Sequence, residues 1–99
     1  ENTISNEEMV QIGEEHIEKF NKLLVKYDDL QPPDVFARSV KLFKLSLEYQ
    51  IESHEHRVEW IKTGDELELV RFQELTQLAF EAEQAGLKAF NDAKAGIKQ

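Results

Sequence analysis

Between Asp34 and Lys62 the apolar positions fall on two sides of one helix instead of one. Set at about 100° per residue, Phe36, Val40, Phe43, Leu47, Ile51, His54, Val58 and Ile61 form one narrow stripe. Leu42, Leu45, Tyr49, His56 and Trp60 gather on nearly the opposite side. Ser39, Ser46 and Ser53 recur at one heptad position in the arc between, where small side chains let another backbone come close. Lys41, Lys44, Glu48, Glu52, Glu55, Glu59 and Lys62 make the one solvated strip. A surface helix needs a single apolar stripe, whereas one apolar over most of its circumference is buried between neighbours. The pattern therefore predicts a central helix over 34–62.

The segments on either side read as its covers. Ser5 and Glu8 have capping-box spacing, and Glu7 and Glu8 place negative charge in a first helical turn. From there to about Tyr27 one face carries Met9, Gly13, His16, Ile17, Phe20, Leu23, Leu24 and Tyr27, while Glu14, Glu15, Glu18, Lys22 and Lys26 lie outside. Gly13 costs about 1 kcal/mol of helix propensity against alanine, which close approach to a neighbour would explain. Asp28 to Pro33 cannot continue a helix, because Pro32 and Pro33 lack the amide hydrogen and Pro32 drives Gln31 into extended backbone. Pro33 or Asp34 then starts the second helix. Thr63-Gly64-Asp65 is a tight helical hairpin: Gly64 suits the left-handed end of one helix, and Thr63 with Glu66 or Asp65 with Glu68 caps the next.

The third helix runs from about Glu66 to Lys94 or beyond, with fraying expected after Ala95. Leu67, Leu75, Leu78, Ala82, Ala85, Ala89 and Ala93 form one side of its buried arc, and Phe72, Ala79, Gly86, Phe90 and Ile97 the other. Short links make sequential helices antiparallel neighbours. The expected architecture is an all-α, three-helix, up-down-up bundle, one domain over residues 1–99, with helices at about 6–27, 34–62 and 65–95. A link centred on Asp28 to Pro33 leaves the first helix too short to cover the hairpin around Trp60, Gly64 and Leu67, so that end is expected to protrude or to need another partner. One covering helix does not easily hide Leu42, Leu45, Tyr49, His56 and Trp60 as well. This second stripe is expected to serve self-association or a protein partner.

Charge and composition narrow the function. The chain of 99 residues is 40% hydrophobic and 32% charged, with a formal net charge of −8. Nucleic acid and anionic lipid both demand clustered Lys and Arg, so that balance argues against either. The charge leaves calcium or a cationic partner open, but acidity of this size is better read as serving solubility. No cysteine is present, which removes disulfides, thiolate metal sites and cysteine nucleophiles. No apolar run approaches the ~20 residues of a membrane span, so these residues are not expected to insert into a bilayer.

No constellation of catalytic residues emerges, and no cofactor is expected. His54 and His56 flank Glu55 but point about 200° apart on a helix. With the first link as a simple reversal, His16 is level with about Leu45, more than two helical turns from His54, too far to share a metal. Counting back from Gly64, His54 is level with about Glu74, a carboxylate set inside the Leu67 to Leu78 stripe. A partly buried His54–Glu74 pair is expected across the hairpin, fixing register and not catalysing. Glu48, Glu52, Glu55 and Glu59 suggest the carboxylates of di-metal bundles, but those require Glu-x-x-His on facing helices, and this run lies on the solvated strip. Serine elbows and phosphate-cradling glycine loops are absent.

Leu30-Gln31-Pro32-Pro33, then a long amphipathic helix, then Trp60-Ile61-Lys62-Thr63-Gly64-Asp65 and an alanine-rich helix with Glu81, Ala82 and Glu83, resembles small helical domains of secreted or lipid-anchored bacterial and archaeal proteins of uncharacterised role. The resemblance covers about Asp28 to Ala95. It departs from the pattern at Ser39 or Lys41, where those domains often carry a histidine. It implies an extracytoplasmic location, with any tether upstream of Glu1. The function expected is a non-enzymatic interaction or scaffold module. The alternative is a cytosolic acidic regulatory adaptor or immunity-type inhibitor whose acidic face mimics a polyanion.

Overall fold

The computed structural model describes residues 5–97, and helices occupy nearly all of them. They are α1 (Asn6–Asp29), α2 (Ala37–Thr63) and α3 (Glu66–Ile97), with a short 3-10 turn, Asp34–Phe36, before α2. No strand occurs among the described residues. The order is up-down-up, and the α2–α3 hairpin is the longest unit of a rod 56 Å by 26 Å by 23 Å.

Local chemistry sets each boundary. Ser5 caps α1, its Oγ accepting from the Glu8 amide at 3.2 Å. Gly64 ends α2 at φ 72°, a left-handed conformation that costs a glycine little. Of the two caps open for α3, Asp65 is the one used, its Oδ1 accepting from the Leu67 amide at 2.9 Å. Thr63 instead turns back to the Glu59 carbonyl and also accepts from the Asp65 amide. α3 stays helical to Ile97, past the point where fraying was expected.

α2 is the central helix, packed against both α1 and α3. Its two seams differ. Toward α3, Ser39, Ser46 and Ser53 are almost fully buried and face Leu75, Ala79, Ala82 and Gly86 of α3, all buried. Ser46 Oγ donates to the Ala79 carbonyl at 2.8 Å, and Ser53 Oγ donates to the Phe72 carbonyl at 3.2 Å. Ser53 also shares a hydrogen bond with Thr76 Oγ1 at 2.7 Å. Hydroxyls that reach a neighbouring helix's carbonyls need the backbones close, which small residues allow. Ser39 turns to its own helix and donates to the Phe36 carbonyl.

Toward α1 the seam is apolar: Leu47, Ile51 and Val58 are buried, and Gly13 lies so close that an added Cβ would stand 2.7 Å from Val58 Cγ2. The helix-propensity penalty of Gly13 is therefore offset by packing.

The register of α1 corrects the sequence expectation. After Asp29 the chain does not fold straight back; Leu30 is extended, Pro33 is extended, and the 3-10 turn follows. The proline segment carries the chain past the end of α1 before it reverses. α1 is thereby displaced along α2, so that His16 meets His54 and not Leu45, a shift of about nine residues or ~14 Å. Asp28 reaches Lys44 and Glu14 reaches Lys62 in the same register. The start of α1 thus lies beside the hairpin end that was expected to protrude. The far end of the hairpin is met by the 3-10 turn, where Phe36 packs on Phe90.

Candidate functional site

In a closed three-helix bundle every pair of helices touches. Here, among the described residues, α1 and α3 have no Cα pair within 8 Å. They lie on adjacent sides of α2 and leave a groove between them. Two adjoining depressions in it share Gln50 and Glu83. α1 contributes Phe20, Leu23 and Tyr27, the floor is Phe43, Ser46 and Leu47, and the α3 wall is Phe72, Ala79 and Phe80. Phe80 is 54% exposed and Leu23 42% exposed. By helical phase Ile12 falls on the same side of α1 as Leu23, and Leu87 on the same side of α3 as Phe80; both are exposed.

His54 sits at the base of this groove. It stacks on His16 at 5.6 Å between ring centroids and lies 5.5 Å from the Phe20 ring. Its Nδ1 is buried without a hydrogen-bond partner. Burial lowers its pKa below the ordinary 6.5, and the facing His16 imidazole and nearby Arg57 lower it further. The neutral ring is therefore the form the fold favours. Because the unfolded chain binds the proton more readily, stability is full above about pH 6.5 and falls as pH drops from there toward the folded value. Thermal melts of wild type and His54→Phe between pH 7.5 and 5 should show the wild type losing more. Parallel losses would contradict this placement.

The expected His54–Glu74 pair does not form. Glu74 lies on the opposite flank of α3 and bonds Arg71 at 3.4 Å, one turn earlier on the same helix. The hairpin is instead bridged by His56, whose Nδ1 is hydrogen-bonded to Glu68. His16 and His54 approach far more closely than a simple reversal implied. Their rings stack 19° from parallel, which does not converge both sets of nitrogens on one point. Among the described residues no group of three His, Asp or Glu side chains is gathered for a metal.

The second stripe is partly covered. Leu42, Tyr49, His56 and Trp60 are half-buried, Leu42 close beside Gly86, and Leu45 alone is exposed. A separate opening is the α1–α3 groove, of whose lining the sequence places Phe20, Leu23, Tyr27, Phe43, Leu47, His54, Phe72 and Ala79 on buried faces but not Phe80. Helical phase alone could have placed Ile12, His16 and Leu23 on one flank of α1. It could not show that α3 stays clear of that flank.

Comparison with protein-family models, curated proteins and solved structures gives no match to this chain.

Proposed function

We propose that this chain is a non-enzymatic helical interaction module whose binding surface is the groove between α1 and α3. The observation that carries this is the separation of α1 from α3, which leaves Leu23 and Phe80 exposed on the two walls of a groove floored by Phe43, Ser46, Leu47, Gln50 and His54. A single exposed leucine is ordinary. Apolar side chains exposed on both walls of one groove are the kind of surface that partners use. Catalysis has no comparable support: the groove's polar groups are Ser46, Gln50, Ser53, His54, Thr76 and Glu83, and His54 stacks on rings with no acid paired to it.

A double substitution tests this reading. Glutamine keeps helix propensity, so Leu23→Gln with Phe80→Gln should cost less than about 1.5 kcal/mol in stability, given surface substitutions worth about 0.5 each. The native chain should bind an apolar fluorescent dye saturably, and the same variant should lose that binding. A melting loss typical of core residues, with dye binding unaltered, would mean these side chains belong to the core. The extracytoplasmic setting implied by the resemblance belongs to the same proposal. The upstream coding sequence decides between it and a cytosolic adaptor: a signal peptide or lipidation motif supports the former.

A further inference from the structure

We infer that the groove receives one amphipathic helix bearing acidic residues along the flank that lies against α1. This rests on the interaction-module reading and adds the class of partner. In a four-helix bundle each helix touches two neighbours and stands clear of the one diagonally opposite. α1, α2 and α3 hold three such corners: α2 touches both others, and α1 and α3 do not meet. The empty corner runs along the helix axes, walled by Phe20, Leu23 and Tyr27 on one side and Phe72, Ala79 and Phe80 on the other. A helix satisfies its own backbone hydrogen bonds. An extended peptide laid there would bury amides against walls that are themselves helical, with no free strand edge to pair.

Charge selects the occupant further. On the groove side of α1, Lys19 and Lys26 lie just outside Leu23 by helical phase, and both are exposed. Neither has a carboxylate within 4 Å among the described residues, although Lys22, Lys44 and Lys62 each have one. Lys41 and Lys94 are unpaired too among the described residues, but Lys19 and Lys26 are the two beside the Phe20 to Tyr27 wall, and the acidic residues on the same flank of α1, Glu8 and Glu15, lie nearer the Gly64 end. The opposite wall carries Glu83. A helix with glutamate or aspartate facing α1, and neutral or basic residues facing α3, complements both rims. Such complementarity fixes orientation and discriminates against wrong partners more than it adds affinity.

The probe is a labelled three-heptad peptide of about 21 residues, ~32 Å long as a helix. It carries leucine at the two core positions, glutamate on one flank and glutamine elsewhere. Its twin has lysine for glutamate. Fluorescence anisotropy at low salt should show the glutamate peptide binding at least about tenfold more tightly, with the gap narrowing as salt is raised. Lys19→Glu with Lys26→Glu should reverse the preference, and Leu23→Gln with Phe80→Gln should remove binding of both peptides. Equal affinities, or a preference indifferent to Lys19 and Lys26, overturn the inference. If neither peptide binds but sedimentation shows self-association that Leu23→Gln with Phe80→Gln abolishes, the occupant is a second copy; the helix inference falls and the module reading stands. If neither peptide binds and no groove-dependent association occurs, both fall.

Discussion

Replacing Leu75 by alanine should lower the unfolding free energy by about 3 kcal/mol, within the 2–5 typical of buried leucines. Leu75 is 2% exposed and sits where α3 meets the serine face of α2. Few large side chains share its burial: besides Leu75 the buried apolar core is Leu47, Ile51, Val58, Ala79 and Ala82. A core this thin has little with which to refill a cavity, because its neighbours at the α2–α3 seam are alanines and serines. The loss corresponds to a drop in Tm of roughly 12–24 °C, at 4–8 °C per kcal/mol for a domain of this size. Denaturant melts followed by the single tryptophan, Trp60, measure it directly. A loss under about 1 kcal/mol would mean that α3 is held by something other than this seam.

The second large effect concerns the seam's width. Ser46→Leu should destabilise by about 3 kcal/mol, at the upper end of ordinary overpacking. Ser46 is 3% exposed, and its hydroxyl spans to the Ala79 carbonyl at 2.8 Å, so no room exists for a branched four-carbon side chain. The new side chain would press α3 away and break the neighbouring Ser53 bonds to Phe72 and Thr76. Ser46→Ala, by contrast, removes the bond to the Ala79 carbonyl and the one accepted from Gln50 Nε2 and leaves the spacing alone, for about 1–2 kcal/mol. The contrast between these two is the measurement, since a seam with slack would show both losses small and similar. If leucine were tolerated as well as alanine, the close approach of α2 and α3 would be wrong.

These effects follow from features that were legible in the sequence. The heptad spacing of Ser39, Ser46 and Ser53 announced a close seam, and the alanines of α3 supplied its other half. The Gly64 hairpin and the Ser5 cap were equally plain, because each depends on residues within one turn of one another, and the central role of α2 was plain because its two apolar sides lie on a single helix. What could not be read was set by the proline link. Whether Leu30 to Phe36 reverses at once or first runs on is a matter of several dihedrals. That choice moved α1 by about nine residues along α2. It brought His16 onto His54 and put α1 beside the hairpin end that had been expected to stand bare.

The site was legible only in part, for a related reason. Hydrophobic periodicity reports which residues turn away from water in a finished assembly, whether the cover comes from this chain or another. Leu23 and Phe72 therefore read as core, although the chain leaves Leu23 substantially exposed, and Phe80, which falls on neither predicted stripe of α3, stands exposed on the facing wall. The Glu74 expectation failed differently. It took the Leu67 to Leu78 side of α3 as buried, but Leu67 and Leu78 are exposed, and Glu74 on that side pairs with Arg71. Lys19 and Lys26 gave no signal, since two exposed lysines on a helix matter only once a groove is seen beside them.

The central claim is that α2 is gripped from two adjacent sides by helices that do not meet each other. Proton–proton Overhauser effects in solution test it most directly. Gly13 should report on Val58 and Gly86 on Phe43, while Leu23 and Phe80 share no cross-peak. Strong cross-peaks between Leu23 and Phe80 would show α1 closed upon α3, and the groove with its proposed occupant would not exist.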